Sequence, residues 1–193
     1  MQFLHTIQDE MLVHVPLCVH AEPKRIIAIC HGDDIQMQIA KHKDIDEIIQ
    51  IAPQEAIAKL TQITPESIDV VIIGSSIGKA DKVFWGLVNR VLSHKGIAVS
   101  TVSSLLLLPQ EAKSELETIG ELFRIVMPYR FEGDKGQTNY AVLASKFFHP
   151  TADINLQRAD LTDGFEYYNS DIATGAFAMP TVIRKNLRGV IKS

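Results

Sequence analysis

The sequence is poor in the features that mark several common protein classes. Its two cysteines, Cys18 and Cys30, cannot form a disulfide framework and favour a reducing compartment. Its longest apolar runs, residues 26–30 and 105–108, are far too short to cross a membrane. The amino terminus lacks the basic and apolar segments of a secretion signal. We therefore expect a cytoplasmic protein that does not enter a membrane.

Positive charge is also scarce. The chain has 19 lysines and arginines against 23 aspartates and glutamates, a net charge of −4 and a pI near 6.0. This balance argues against a general nucleic-acid surface and suits a cationic small-molecule substrate. A hydrophobic fraction of 46% excludes a disordered chain, and no repeat or linker divides the sequence. We expect one domain over residues 1–193.

Residues 23–42 are the stretch around which the other elements are arranged. The apolar run 26–30 predicts a strand that is buried on both faces, followed by a turn at Gly32 and a helix. Ligands of open α/β sheets bind at such strand ends. The turn has one glycine and not the G-x-G-x-x-G of a dinucleotide loop, so two interpretations stay open. Asp33 and Asp34 either cap the helix or contact a cofactor.

Strands and helices alternate along the rest of the sequence. Further strands are predicted at 47–51, 68–73, 97–102, 122–127 and 139–145, with a rudimentary one at 61–63. Helices are predicted at 7–15, 53–60, 80–92, 110–118, from Ser170 or Asp171 to Ala178, and from Pro180 to Leu187; Pro16 is expected to end or bend the first. The pattern predicts a Rossmann-like α/β fold with helices on both faces of the sheet. The last two strands should form an antiparallel hairpin at one edge.

Several imidazole and thiol groups lie close together in the first part of the chain. They are His14, Cys18, His20, Cys30 and His31. Their spacing matches no C-x-x-C or H-x-x-x-H pattern. We therefore expect packing or capping roles and no metal site.

Two segments resemble motifs of the spermidine synthases, the polyamine aminopropyltransferases. Residues 10–24 resemble EML-x-HVPL-x-x-H-x-x-PK, and residues 167–180 resemble YYN-x-D-[IV]-H-x-A-A-F-x-L-P. The resemblance covers about residues 8–193 and leaves out the family's amino-terminal β-rich domain. It implies a fold of the S-adenosylmethionine methyltransferase type, although the carboxyl-terminal motif argues against a methyltransferase. It also implies aminopropyl transfer from decarboxylated S-adenosylmethionine to putrescine, with no metal and no tightly bound cofactor.

The resemblance also assigns nucleoside-binding residues. The family's Gly-Gly-Gly-Asp turn corresponds to residues 30–33, so Gly32 and Asp33 are retained. The acidic residue that ends the family's second strand corresponds to Gln50, whose amide can still bond a ribose hydroxyl. Tyr129 corresponds to an aromatic residue of the family's substrate cleft. The resemblance thus implies that Gly32, Asp33 and Gln50 bind the co-substrate and that Tyr129 binds the substrate.

The family's catalytic carboxylates are missing. They belong to a D-S-S-D-P segment whose acidic positions are Gly74 and Ile77 here. The catalytic residues are therefore unknown, with Asp9, Asp34 and Asp81 as candidate replacements. Two functions stay open: a working aminopropyltransferase, and an inactive paralogue that binds a nucleoside, a polyamine or a protein. The amine acceptor and the oligomeric state also stay open, with a homodimer as one option.

Overall fold

The computed structural model describes residues 2–74, 81–133 and 136–193, with the backbone alone for residues 2–6. The strands are β1 (Arg25–Ile29), β2 (Glu47–Ile51), β3 (Ile68–Ile73), β4 (Leu92–Val102), β5 (Ile125–Glu132) and β6 (Thr138–Ser145). The helices are α1 (Gln2–Val19), α2 (Asp34–Ile39), α3 (Ala56–Gln62), α4 (Lys82–Val91), α5 (Pro109–Gly120), α6 (Leu156–Leu161), α7 (Ser170–Gly175) and α8 (Thr181–Asn186); a 3-10 turn, Pro53–Glu55, precedes α3.

The strands form one sheet in the order β2-β1-β3-β4-β6-β5. The first four are parallel, so their carboxyl ends lie at the same edge of the sheet. Strand β6 runs antiparallel between β4 and β5. The predicted hairpin at the edge of the sheet is therefore confirmed.

Both faces of the sheet are covered, as the unbroken apolar run of β1 requires. Ile27 and Ile29 belong to a core shared with helices α3, α4, α5 and α8. Ile26 and Ala28, on the opposite face, pack with α1, α2, α6 and α7. The predicted class, a Rossmann-like α/β fold with helices on both faces, is confirmed.

Two predicted element boundaries in the amino-terminal half are wrong. Of the two outcomes expected at Pro16, the helix does not end there: α1 continues to Val19, although proline removes one backbone hydrogen bond. The helix is buried almost throughout this segment, and packing outweighs the local cost. Residues 61–63 form no strand, because α3 extends to Gln62.

Two strands and one helix cap also differ from prediction. Strand β4 starts at Leu92 rather than 97, with an irregular register before Ile97. Strand β5 begins three residues later than predicted and runs on to Glu132. The cap of α7 is Asn169 rather than Ser170 or Asp171, and its side chain accepts a hydrogen bond from the amide of Ile172.

No helix in the described ranges is both long and apolar enough to cross a lipid bilayer.

Candidate functional site at the carboxyl edge of the sheet

Backbone hydrogen bonds hold the ends of three parallel strands together. The amide of Gly74, just after β3, donates to the carbonyl of Ile29 at 2.9 Å. The amide of Cys30 donates to the carbonyl of Ile51, the last residue of β2, at 3.2 Å. These bonds fix the positions from which the loops at this edge depart.

The turn after β1 is fastened to the end of β2. Gly32 has φ +72°, a left-handed conformation that favours glycine. The Gln50 side chain donates from Nε2 to the Gly32 carbonyl at 2.7 Å. Gly32 and Gln50 therefore lie together, as their assignment to one binding site requires. Their role in binding stays a prediction.

Asp33 stands at the position before α2, but its side chain does not cap that helix. Its carbonyl accepts the first helical hydrogen bond, from the Met37 amide at 2.9 Å. The capping interpretation is thus wrong for Asp33. The side chain is exposed at the edge where ligands bind in such sheets, which fits the alternative interpretation, a cofactor contact.

A side chain at position 74, where the resemblance implies a carboxylate, would be crowded by its neighbours. A Cβ at Gly74 would lie 3.2 Å from Cβ of Cys30 and 3.3 Å from Cγ1 of Ile35. The resemblance implies a glycine at position 30, so the Cys30 side chain occupies space next to the position where the resemblance implies a carboxylate. Ile77, the second acidic position of the family, lies outside the described residues.

A cavity of about 450 Å³ opens beside Gly74. Its size is typical of small-molecule sites. Thr101 and Val102 from the end of β4 line it, together with Gln8 of α1. The turn after β4 and the start of β6 supply the remaining walls: Ser104, Leu106, Leu107, Gln137, Thr138, Asn139 and Tyr140. Sequence reasoning missed these residues, since the hairpin and α1 meet only in the folded chain.

The three candidate replacement acids differ in position. Asp81 caps α4, and its Oδ1 accepts hydrogen bonds from the amides of Val83 and Phe84 at 2.8 and 3.2 Å. Asp34 is exposed in the first turn of α2. Asp9 follows the cavity residue Gln8 on α1 and is half-buried.

Cys30 reports which charges surround this edge of the sheet. Burial, and then the charges of Asp9 and Asp33, raise the pKa of the Cys30 thiol above its ordinary value. The charge of Asp34 acts on Cys30 in the same direction. Of the three candidate acids, Asp9 and Asp34 are thus close enough to act on this edge of the sheet, and Asp9 also follows a residue that lines the cavity.

Tyr129 is fully buried in β5, two residues beyond the end of the strand that the sequence predicted at 122–127. Its hydroxyl donates to the carbonyl of Met11 at 3.1 Å, and its ring lies against Phe177. Burial raises the pKa of this phenol. The geometry gives Tyr129 a packing role, and its role as a substrate contact stays a prediction.

The two family-like segments meet in a buried contact centred on Glu10. The Glu10 carboxylate is fully buried and accepts three backbone hydrogen bonds, each of 2.9 Å, from the amides of Glu166, Tyr167 and Tyr168. Lys41 Nζ lies 3.6 Å from it. We call this contact the Glu10 clamp. In this contact the first segment supplies a charged acceptor for the backbone of the second.

A buried histidine pair lies beside the clamp. His14 Nδ1 is 2.9 Å from His42 Nε2, and His14 Nε2 is 3.1 Å from Oε1 of Gln38. Two neutral rings satisfy both bonds when His42 donates to His14 and His14 donates to Gln38. Burial, followed by the proximity of His42, lowers the pKa of His14. Burial lowers the pKa of His42 to about 4.

No group of three or more potential metal-binding side chains of histidine, cysteine, aspartate or glutamate occurs in the part of the chain that the structure describes. His14 is committed to the hydrogen-bonded pair, while Cys18 is buried. These positions fit the packing roles that the sequence predicted.

The sheet, its order and its carboxyl-edge cavity define a Rossmann-like domain of the S-adenosylmethionine methyltransferase type. The comparison with solved structures gives the same class. A crystal structure of spermidine synthase with the transition-state analogue AdoDATO matches with a TM-score of 0.86 and 19% identity, over 95% of this chain and 75% of that one. A methyltransferase from Archaeoglobus fulgidus, described as SAM-dependent, matches with a TM-score of 0.54 and 14% identity, over 71% of this chain and 92% of that one. At these identities the matches show the fold.

Within this class the chain is similar to one family over nearly its whole length. The polyamine aminopropyltransferase of Helicobacter acinonychis is 27% identical in an alignment of 218 positions, gaps included. The alignment covers 99% of this chain and 80% of the relative. No protein-family model matches the chain. The resemblance to the spermidine synthases that the two motifs indicate is confirmed, and it supports aminopropyl transfer as the general chemistry.

Proposed function

We propose that the chain binds decarboxylated S-adenosylmethionine at the carboxyl edge of its sheet and transfers the aminopropyl group to an amine. The cavity beside Gly74 is the observation that supports this most, because it opens where sheets of this class bind their ligands. The named relatives support the same chemistry. Putrescine is the acceptor that the resemblance implies.

The residues at the ends of β1 and β2 suit the ribose of the co-substrate. Asp33 presents a carboxylate that is not used as a helix cap. Gln50 is anchored through its Nε2 to the Gly32 carbonyl, which leaves Oε1 as an acceptor for a hydroxyl. A carboxylate makes the stronger, charge-assisted bond, so we assign Asp33 the larger share of the affinity.

Transfer requires an amine with a free lone pair. The nitrogen attacks the carbon beside the sulfonium, the carbon–sulfur bond breaks, and its electron pair stays on the sulfur of methylthioadenosine. The acceptor must lose one proton, and a positioned carboxylate can take it. We assign this role to Asp9, because it follows a residue that lines the cavity and because its charge acts on Cys30 at the same edge of the sheet.

The test is a transfer assay with decarboxylated S-adenosylmethionine and a panel of amines, with methylthioadenosine as the measured product. Asp9→Asn should lower kcat about 100-fold with little change in the co-substrate KM, because base catalysis typically contributes 10²-fold or more. Asp46→Asn, at the opposite edge of the sheet before β2, is the matched control. Absence of product with every amine would overturn the proposal.

An inactive binding module is the second candidate. It is favoured by Gly74, which carries no carboxylate, and by Asp81, which is engaged as a helix cap. This candidate predicts that methylthioadenosine binds but that no amine is modified. Nucleoside affinity without turnover would therefore select it.

The proposal includes three broader expectations. The working compartment is the cytoplasm, no nucleic acid is bound, and a homodimer is the assembly to test first. Light scattering of the purified protein across a concentration series measures the last of these. A mass equal to one chain at every concentration would contradict the dimer.

A further inference from the structure

A buried carboxylate on helix α5 contacts the chain segment that lines the cavity beside Gly74. The carboxylate belongs to Glu115, which has 6% of its surface exposed. Its Oε2 accepts a hydrogen bond from the Ser103 amide at 2.9 Å, and its Oε1 accepts one from Ser103 Oγ at 2.6 Å. Both oxygens of the carboxylate are therefore engaged by the same residue.

Ser103 is the first residue after β4 and lies in the middle of this lining segment. Residues 101–102 precede it in the wall of the cavity, and Ser104, Leu106 and Leu107 follow it. Because Glu115 holds Ser103 at both its amide and its hydroxyl, it fixes the point at which the strand passes into the turn.

The turn itself is closed by its own hydrogen bonds. Ser104 Oγ accepts one from the Leu107 amide at 3.2 Å, and the Ser104 carbonyl accepts one from the Leu108 amide at 2.9 Å. Leu105 has 2% of its surface exposed and belongs to the core that α5 shares with the sheet. The turn is thus a compact unit whose first residue is tied to Glu115 and whose middle is tied to the core.

Stability alone does not require a carboxylate at position 115. Ala112, Leu116 and Ile119 of the same helix join the apolar core. Burial of a carboxylate costs its hydration, which the two hydrogen bonds from Ser103 offset. An apolar side chain would avoid this cost and extend the core. The carboxylate adds instead a fixed position for Ser103.

We propose that Glu115 is a positioning residue for the acceptor amine: its carboxylate holds Ser103, and through Ser103 the turn that lines the cavity. This inference rests on the proposed function, in which the amine enters the cavity towards Asp9. The co-substrate contacts assigned to Asp33 and Gln50 lie at the ends of other strands, β1 and β2. Loss of the carboxylate should therefore weaken the binding of the amine and leave that of the nucleoside almost unchanged.

Two substitutions separate the hydrogen bonds of Glu115 from its charge. In Glu115→Gln, Oε1 can accept from the Ser103 amide while Nε2 donates to the Ser103 hydroxyl, since a hydroxyl also accepts. Glu115→Met has a side chain of similar length that replaces neither bond. We expect the glutamine to keep the turn in place and the methionine to release it.

The transfer assay with putrescine gives KM and kcat, and calorimetry gives the Kd of methylthioadenosine. Glu115→Met should raise the KM for putrescine about 10-fold, because the released turn is in its binding arrangement for only part of the time. Both kcat and the Kd of methylthioadenosine should change less than about 2-fold. Glu115→Gln should stay within about 3-fold of the wild-type KM.

Glu111→Met is the control, since Glu111 is exposed in the first turn of the same helix. An unchanged KM in Glu115→Met would overturn the inference. Equal losses in putrescine and nucleoside binding would do the same, because they would show a general structural role.

Hydrogen exchange in the free protein gives a readout that does not depend on turnover. In Glu115→Met, exchange at the amides of Leu107 and Leu108 should accelerate at least about 10-fold more than at Ile27 and Ala28 of β1. Equal acceleration at both places would mean that the whole domain is destabilised, and would contradict the proposed role.

Ser103→Ala is the second variant, should Glu115→Met fail to fold. It removes the hydroxyl contact and keeps the amide contact, so it should raise the KM for putrescine by a smaller factor, about 3-fold. Ser114→Ala, which alters an exposed residue of α5, is its control. An unchanged KM in Ser103→Ala would then overturn the inference.

The outcomes for the inference and for the proposed function are distinguishable. Transfer that is equally efficient in the wild type and Glu115→Met would overturn the inference and leave the proposed function standing. Putrescine binding in calorimetry that weakens in Glu115→Met, without transfer by any variant, would support the positioning role and overturn the transferase. Neither binding nor transfer of putrescine by the wild type would overturn both.

Discussion

The Glu10 clamp and the carboxyl edge of the sheet differ in how far they match the resemblance to the spermidine synthases. In the clamp, a fully buried carboxylate holds three backbone amides of the second motif. At the carboxyl edge, glycine occupies position 74, where the resemblance implies an acid, and the Cys30 side chain lies in the neighbouring space. The two segments that carry the resemblance therefore meet in a structural contact away from the cavity. They establish the architecture and say little about the catalytic step.

The largest effect should follow from breaking the clamp. Glu10→Gln replaces one acceptor oxygen by an NH₂ group that faces backbone donors, and it leaves Lys41 without its buried partner. We expect a loss of about 3–5 kcal/mol in the free energy of unfolding. Urea titration measures it, with the exposed Glu55→Gln as control. A loss below about 1 kcal/mol would mean that the clamp does not hold the two motifs together.

The histidine pair beside the clamp makes this region sensitive to acid. In the unfolded chain both histidines take up protons below a pKa near 6.5, whereas the folded His42 does so only near 4. The unfolded state therefore binds more protons in this window, and stability falls as the pH falls from about 6.5 towards 4. Each histidine contributes a slope of up to about 1.4 kcal/mol per pH unit.

Urea titrations between pH 7.5 and pH 4.5 measure this slope. His42→Gln should flatten it, whereas His94→Gln, which alters an exposed side chain, should leave it unchanged. An equal slope in the wild type and His42→Gln would show that other groups dominate the acid response.

A smaller effect is expected at the carboxyl edge from restoring the family's residues. Gly74→Asp forces a side chain against Cys30 and Ile35 and should cost about 1–3 kcal/mol. Cys30→Gly removes one of the two obstacles. The double variant should therefore be about 1 kcal/mol more stable than the sum of the two single effects predicts. Additive effects in denaturant titrations would show that the two positions are not coupled.

The smallest effect on stability should come from Gln50→Ala. It removes one exposed hydrogen bond, between Nε2 and the Gly32 carbonyl, and should cost about 0.5–1.5 kcal/mol. Its effect on methylthioadenosine affinity should be larger than on stability, because the turn would lose its anchor. Unchanged affinity would remove Gln50 from the site.

The sequence predicted the positions of the central strands well and the ends of helices and strands less well. Strands β2 and β3 lie at the predicted positions because their apolar, β-branched runs are local signals. The continuation of α1 past Pro16 depends on burial by the rest of the fold, which no local pattern contains. The extension of β5 to Glu132 likewise depends on its pairing with β6.

Some parts of the candidate site were predicted from the sequence and others were not. The resemblance assigned Gly32, Asp33 and Gln50 to one site; Gln50 is hydrogen-bonded to Gly32, and Asp33 follows Gly32 directly. The cavity wall was not expected, because Gln8 and Asn139 are separated by most of the chain. The Glu10 clamp was missed for the same reason: its partners lie more than 150 residues away.

The central claim is that the carboxyl edge still binds a nucleoside, and calorimetry with methylthioadenosine tests it most directly. The account predicts a micromolar Kd for the wild type and at least 10-fold weaker binding for Asp33→Asn, which loses a charge-assisted hydrogen bond. Asp46→Asn, at the opposite edge, should bind like the wild type. No binding at millimolar ligand, or equal affinity in Asp33→Asn, would contradict the claim.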